Sequence, residues 1–405
     1  MTPRERWYRV SSHPPKWPDM ICKEFIGGHS TTAPLDQEPY GLKSIAELVN
    51  VPDYTDPNPN LIWGYTTVDD RILEEFRCDF RYVTGGSGIY GDPKNWKYLP
   101  NGNIQTGCGI IWKPAYGKSR QGIQRLMVAP DNKQPGAKIK KVEEIEEYPY
   151  WPDTESKKER EKLEQKAKLA GKQAKKLHEE TDYAISAGGT GYSTEQHYRV
   201  RGFRNWLMDL KKDPEFYHAF AHKLWQVGND MAEIYLNQIG DYVDRVSMTP
   251  GDLGTQRRPM ISLEDFREFV LPYQRMNLKS IRKYTKARTF GHACGSINLY
   301  IKDIAEVGID MIGQQITPYT HLMEPERLRR EYGNIMTFWG GIDTQVVLVR
   351  SSPEEIRDWV RRVVYGLAPG HIAASNHAIQ GDVPPENIWI ANKAIDEFSK
   401  LVYGK

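Results

Sequence analysis

The chain has 405 residues, of which 39% are hydrophobic and 11% aromatic, and a formal net charge of +2. That is enough apolar material for a large core, and the near-neutral balance gives no reason to expect nucleic acid or an acidic membrane surface as a partner. The four cysteines (Cys22, Cys78, Cys108, Cys294) have no CxxC spacing, which argues against a disulfide scaffold and a structural zinc ribbon; the polar start Met1-Thr-Pro-Arg-Glu-Arg and the lack of any run long enough to span a membrane lead to the expectation of a soluble cytoplasmic protein.

Residues 1–150 are rich in Pro, Gly, Trp and Tyr. Short apolar stretches alternate with turn signals, as in Phe80-Arg-Tyr-Val83 before Gly85-Gly-Ser-Gly88 and Cys108-Gly-Ile-Ile-Trp112 before Lys113-Pro-Ala-Tyr-Gly117. These predict strands and hairpins. The glycines at 85–88 lack the spacing of a dinucleotide fingerprint. Residues 154–181 change character: Lys157-Lys-Glu-Arg-Glu-Lys-Leu-Glu favours a helix with charges of both signs at i, i+4 spacing. Interleaved acidic residues make this a solvated helix face rather than a nucleic-acid patch.

From residue 182 the pattern is regular. Strands are predicted at 182–188, 243–252, 287–292, 309–313, 335–339 and 370–374. Helices are predicted at 198–237, 263–284 (with Ser262 as its cap), 298–306, 324–332, 353–366 and 384–403. Strands alternating with helices imply βα units and a parallel sheet. Six such strands, with one or two earlier, suit an eight-stranded (β/α)8 TIM barrel. The expected organisation is one barrel domain over 1–405, with a β-rich N-terminal elaboration and a charged helical insertion.

In such barrels the chemistry sits at the C-terminal ends of the strands. The polar residues expected there are Asp252, Gln256, His292, Cys294, Gln314, Gln315, Asp343, Asn376 and His377. Side chains at i and i+2 of a strand share a face, so His292 and Cys294 can grip one ion together. His377, at the end of a later strand, reaches the same rim. Three ligands with one open position is the arrangement of catalytic zinc. A buried cysteine beside a hydrogen-bonded histidine is the bland alternative. Cys294 acting as a nucleophile is another, although no hydrolase elbow surrounds it. Asp252 can supply a fourth ligand, act as a general acid or base, or simply fix its turn. Asp343 divides between orienting a ligand and fixing a turn. Gln256, Gln314 and Asn376 are substrate-binding candidates. The aromatics Trp63, Tyr65, Phe80, Tyr82, Tyr90, Trp96, Trp112 and Tyr116 would either wall a pocket for a planar substrate or fill cores. Arg81 would hold a substrate carboxylate or make a structural ion pair.

The stretches Gly291-His-Ala-Cys-Gly-Ser296, Phe338-Trp-Gly-Gly-Ile-Asp343, Pro353-Glu-Glu-Ile-Arg357 and Ser375-Asn-His-Ala-Ile-Gln-Gly-Asp-Val-Pro-Pro-Glu-Asn387 resemble, in order and spacing, the uroporphyrinogen decarboxylase superfamily. The resemblance covers at least residues 182–403 and implies a barrel of that type. Its decarboxylase branch works without a metal and carries an arginine-rich N-terminal motif, for which Pro15-Lys-Trp-Pro-Asp-Met is a poor substitute. Its methyltransferase branch uses zinc on a His-x-Cys pair and a distant third ligand, usually cysteine. This chain has the pair, at His292 and Cys294, but His377 in third place.

The resemblance therefore implies a zinc-dependent methyltransferase moving a methyl group between a small methylated compound and a corrinoid (cobalamin). The aromatic N-terminal portion favours a methoxylated aromatic, hence O-demethylation. No Asp-x-His-x-x-Gly motif is present, so a separate corrinoid protein would dock over the mouth. The alternative is a metal-free decarboxylase of a porphyrinogen or a smaller acid. There Asp79 or Asp252 would stabilise a protonated intermediate and His377 would handle protons. A non-catalytic barrel, such as a corrinoid chaperone, is a third reading.

Overall fold

The computed structural model describes residues 1–28, 40–54, 68–83, 95–115, 125–189, 191–314 and 316–404. The chain opens with α1 (Pro3–Val10), β1 (Cys22–Lys23), α2 (Leu42–Leu48), α3 (Asp70–Glu75) and β2 (Phe80–Val83). Four short strands follow, β3 (Lys97–Tyr98), β4 (Ile104–Gln105), β5 (Ile111–Ala115) and β6 (Arg125–Val128), and then the charged helix α4 (Lys157–Glu180). The regular part runs β7 (Ala184–Ala187), α5 (Thr194–Arg201), α6 (Phe203–Lys212), α7 (Pro214–Ile239) and β8 (Arg245–Ser247). Next, α8 (Leu263–Asp265) passes through a π-helical stretch into α9 (Leu271–Ile281), followed by β9 (Arg288–Ala293), α10 (Ile301–Val307) and β10 (Met311–Gln314). The chain finishes with α11 (Pro325–Tyr332), β11 (Thr337–Ile342), α12 (Val347–Arg350), α13 (Pro353–Leu367), β12 (His371–Ser375) and α14 (Pro385–Tyr403).

Eight strands form one sheet in the order β1-β12-β11-β10-β9-β8-β7-β2, every neighbouring pair parallel. Its two ends meet: the Asp79 N–H donates to the Lys23 carbonyl, and the Lys23 N–H donates to Asp79 Oδ2, both at 2.8 Å. The result is a (β/α)8 barrel, as the alternation of strand and helix in the sequence predicts. Helix starts follow local chemistry. Ser262 Oγ accepts the Asp265 N–H at 3.0 Å, and Ser352 with Glu355 forms a capping box before Pro353.

Among the described residues, Glu24 and Arg245 pair inside the barrel. Glu24, completely buried, accepts from Tyr82 Oη at 2.9 Å, from Trp339 Nε1 at 2.6 Å and from the Arg245 guanidinium. Arg245 also donates to Ser186 Oγ at 2.8 Å and lies over the rings of Phe80 and Phe290 at 4.5 and 5.1 Å. The alternation of side chains then places Phe80 and Tyr82 inside and Arg81 outside.

The N-terminal ends of the strands are stoppered by α1. Arg6 Nη1 meets Asp79 Oδ1 at 2.6 Å just before β2, and Tyr8 Oη donates to Asp244 Oδ1 at 2.7 Å just before β8. The Arg4 N–H donates to the Asp182 carbonyl before β7, and Thr337 Oγ1 donates to the Val10 carbonyl at the start of β11.

The charged helix α4 lies on α7 through Ala167, Ala170 and Ala174, with its lysines and glutamates outward. Strands β3 to β6 form a separate antiparallel sheet. Trp96, Ile110 and Trp112 of that part make a second core with Tyr148, Val200, Phe216 and Phe220. Among the described residues no helix is long and apolar enough to cross a membrane.

Candidate metal centre at the barrel mouth

Strand β9 builds half of the site by alternation. Phe290 points into the barrel, edge-on to Trp339 at 5.4 Å between ring centres. Two residues on, His292 faces the same way, and Cys294 follows at the rim. His292 Nε2 lies 3.3 Å from Cys294 Sγ. His377 arrives two residues beyond the end of β12, its ring 5.8 Å from that of His292. The three ligand atoms lie within 4.8 Å of one another, and all three residues are only partly buried. Ligands about 2.0–2.3 Å from a tetrahedral zinc stand roughly 3.3–3.8 Å apart, so this donor set fits the ion after small side-chain adjustments.

Asp252 stands beside the triad. Its Oδ1 accepts the Cys294 N–H at 2.9 Å and lies 3.6 Å from His292 Nε2. It comes from the loop after β8, which turns back on itself through a bridge between Gly254 and Pro259. The root of that loop is pressed onto the Cys294–Ser296 segment, and the Ser296 N–H donates to the Thr255 carbonyl at 2.7 Å. Gly295 has φ +75°, and a Cβ built there would meet the Gly254 carbonyl carbon and oxygen at 2.5 Å. Glycine is required for both its backbone conformation and its close approach.

A second carboxylate closes on Asp252 from α5. Glu195, in the first turn of that helix, pairs with Arg199 Nη1 at 2.7 Å, and its carboxyl group faces that of Asp252. Burial, together with the charge of Asp252 and against that of Arg199, pushes Glu195 up to about 7. Burial and Asp252 also push the Cys294 thiol well up, and burial holds His292 below its ordinary value. A bound divalent cation would reverse the pressure on the thiol.

The structure separates the other candidates. Asp343 is fully buried, and its Oδ1 accepts the N–H groups of Gln345, Val346 and Val347 at 3.1, 2.6 and 2.9 Å, which starts α12. Asn376 is equally buried and accepts the N–H and hydroxyl of Thr344. Both tie β11 to β12 beneath the rim. Gln256 is exposed on the mouth and donates to Gln345 at 2.5 Å. The backbone of Gln314 ends β10 beside Ala293 and Gly340, while Gln315 lies outside the described residues.

Asp79 and Arg81 are not brought to this rim. Asp79 precedes β2 and is consumed by Arg6 and Lys23 at the stoppered end. Arg81 points out of the barrel, 3.0 Å from Asp70 and 3.5 Å from Glu74 of α3, with its guanidinium 3.5 Å above the Tyr183 ring. Of the aromatics, Phe80 and Tyr82 face the barrel interior, and Trp96 and Trp112 belong to the second core. Trp63, Tyr65, Tyr90 and Tyr116 lie outside the described residues.

Glu195 and Arg199 are the residues that sequence reasoning missed. The signal was Ser193-Thr-Glu-Gln196, whose first and last members form a capping box. It starts the helix four residues before Tyr198 and puts its first turn at the mouth.

An eight-stranded parallel barrel with a histidine–cysteine cluster at the C-terminal ends of its strands defines the class. The family model described as uroporphyrinogen decarboxylase (URO-D) matches residues 136–398, and the chain belongs to that family. Uroporphyrinogen decarboxylase of Chlorobium phaeobacteroides is 26% identical over 197 residues, covering 45% of this chain and 53% of the relative. That of Pseudoalteromonas atlantica is 24% identical over 191 residues, covering 46% and 50%. The match thus spans about half the length of these relatives. Among solved structures, a methyltransferase from Methanosarcina mazei superposes with a TM-score of 0.61 at 13% identity, covering 98% of this chain and 99% of that one. At that identity the likeness is one of fold.

Proposed function

We propose that the protein is a zinc-dependent methyltransferase. The reaction would move a methyl group between the oxygen or sulfur of a small compound and the cobalt of a corrinoid carried by a separate protein. The observation that supports this is the cluster of His292 Nε2, Cys294 Sγ and a His377 ring nitrogen at the mouth. These three residues would hold the ion, which when bound supplies a Lewis acid for the heteroatom that loses or gains the methyl group.

The donor set bears on the substrate. Two neutral imidazoles and one thiolate leave a divalent ion one net positive charge, whereas two thiolates would cancel it. That suits activating an ether oxygen, which must leave as an anion, more than sustaining a nucleophilic thiolate. O-demethylation of a methoxylated aromatic therefore remains the favoured donor reaction. It rests on the ligand set, since Phe80, Tyr82, Trp96 and Trp112 fill cores. Asp252 keeps the Cys294 backbone in place and faces His292.

The names of the curated relatives favour a second reading, a metal-free decarboxylase. Metal analysis of the purified protein and of Cys294→Ala and His377→Ala decides between them. About one equivalent of zinc in the parent, lost in both variants, is the expected result; a metal-free parent overturns the proposal. Demethylation assays with cob(I)alamin on methoxylated aromatics, against methylcob(III)alamin with thiols, then settle the substrate and the direction of transfer.

A further inference from the structure

The metal-binding cluster does not stand alone. Asp252 reaches Cys294 and His292, Glu195 reaches Asp252, and Arg199 reaches Glu195. The Arg199 guanidinium in turn lies 5.7 Å from the ring centre of Trp112 on β5 and 5.9 Å from that of Tyr198. Glu195 and Arg199 are each 8% exposed and Trp112 is 1% exposed, so the chain of contacts runs through the interior from the small antiparallel sheet to the rim of the barrel.

We propose that Glu195 is a positioning residue of this centre: pinned by Arg199 against the Trp112 face of the small sheet, it holds the Asp252 carboxylate on the Cys294 amide and beside His292. Three observations carry this. Asp252 is itself about a quarter exposed, and its loop continues into the exposed tip Thr255–Arg258, so its carboxylate needs a buried partner to keep one direction. Glu195 provides that partner on a helix, a more rigid support than a loop. The backbone at the root of Asp252 is packed on the same helix start, since a Cβ at Gly251 would lie 3.2 Å from the Glu195 nitrogen. In metal sites the groups that orient the ligands contribute to affinity although they never touch the ion. The small sheet, which lies outside the barrel, is thereby part of the support of the centre. Glu195 bears on the Cys294 amide through Asp252.

The test has a metal-free arm and a metal-bound arm. In protein labelled with 15N-cysteine, the four cysteines give four amide signals, and the signal lost in Cys294→Ala identifies Cys294. Glu195→Ala is expected to move the Cys294 amide proton upfield as its bond to Asp252 loosens. Glu195→Gln, which can still donate to Asp252 and accept from Arg199, is expected to leave it in place. An unmoved signal in folded Glu195→Ala overturns the proposal. Should that variant fail to fold, the pair Glu195→Leu with Arg199→Met leaves no unpaired buried charge and carries the same expectation.

The second arm rests on the zinc reading. Zinc affinity should fall roughly 10–100-fold in Glu195→Ala and recover in Glu195→Gln. The thiolate-to-metal absorption of the cobalt(II)-loaded protein should shift in the first and not in the second. Unchanged affinity and spectrum in Glu195→Ala would also overturn the proposal. A parent protein that binds neither metal refutes the zinc reading, and the amide signal still decides the role of Glu195.

Discussion

Gly295 and Gly254 touch backbone to backbone, and the cysteine beside that contact is one of the three candidate ligands. A Cβ on Gly295 would fall 2.5 Å from the Gly254 carbonyl group, and its φ of +75° is one that L side chains rarely adopt. The contact fixes the height of Cys294 above the barrel and the root of the loop that carries Asp252.

Gly295→Ala should therefore act on the centre before it acts on the fold. The strain at such a position is about 1–3 kcal/mol, small for a barrel of this size, yet the backbone that must shift is the one that positions Cys294. On the zinc reading, we expect a Tm lower by a few degrees together with loss of most of the metal the parent binds. Calorimetry and metal analysis of the same sample check this. A variant with full zinc content would show that the contact is packing alone.

Within the barrel, Glu24 has its charge answered by Arg245 and its remaining acceptor sites by Tyr82 and Trp339. Arg245→Leu removes the counter-charge and leaves a carboxylate buried in an apolar interior. The expected cost is about 3–5 kcal/mol, read as a lower urea midpoint with an unchanged slope. Glu24→Leu combined with Arg245→Leu should recover much of it, because the cost comes from the unpaired charge and not from the loss of the pair.

His371 sets part of the acid limit. It is fully buried at the start of β12, its Nε2 is 2.9 Å from the Gly340 carbonyl, and burial lowers it from 6.5 to about 4. The unfolded chain takes up a proton as pH falls through 6.5, whereas the folded one does so only near 4. Its contribution is thus present above pH 6.5 and is lost as pH falls from 6.5 to 4. At about 1.4 kcal/mol per unit the loss is on the order of 3 kcal/mol. His371→Gln, which can still donate to Gly340, should flatten the fall in stability over that window. Urea unfolding at several pH values measures it, and parallel curves for the two proteins would contradict the assignment.

The later strands were legible because each is a short apolar run with a glycine or polar residue at its end, separated from the next by a helical period. His292 and Cys294 were legible as a pair because strand alternation is strict. Other features were hidden for physical reasons. Strand β1 is two residues long, too short to show a period. The run Phe80–Val83 reads as a strand, but nothing in it says at which barrel end its flanking Asp79 falls. The start of α5 was obscured by the glycines at 188, 189 and 191, which made the segment look like a loop and concealed Glu195. Among the described aromatics of the first part, Trp96 and Trp112 belong to a second core under a small sheet and Phe80 and Tyr82 to the barrel interior, which composition alone does not distinguish from a pocket.

The helix that seals the N-terminal ends of the barrel strands has a kinetic consequence. With Arg4, Arg6 and Tyr8 engaged beneath the strands, the described residues leave the mouth as an approach to the His292–Cys294–His377 cluster. A small molecule and any large partner that covers this mouth must then use the same doorway. On the proposed reading, with a corrinoid protein covering the mouth, the small molecule would enter first and its product leave last, so turnover would follow a compulsory order, with excess partner slowing the reaction by trapping the empty barrel.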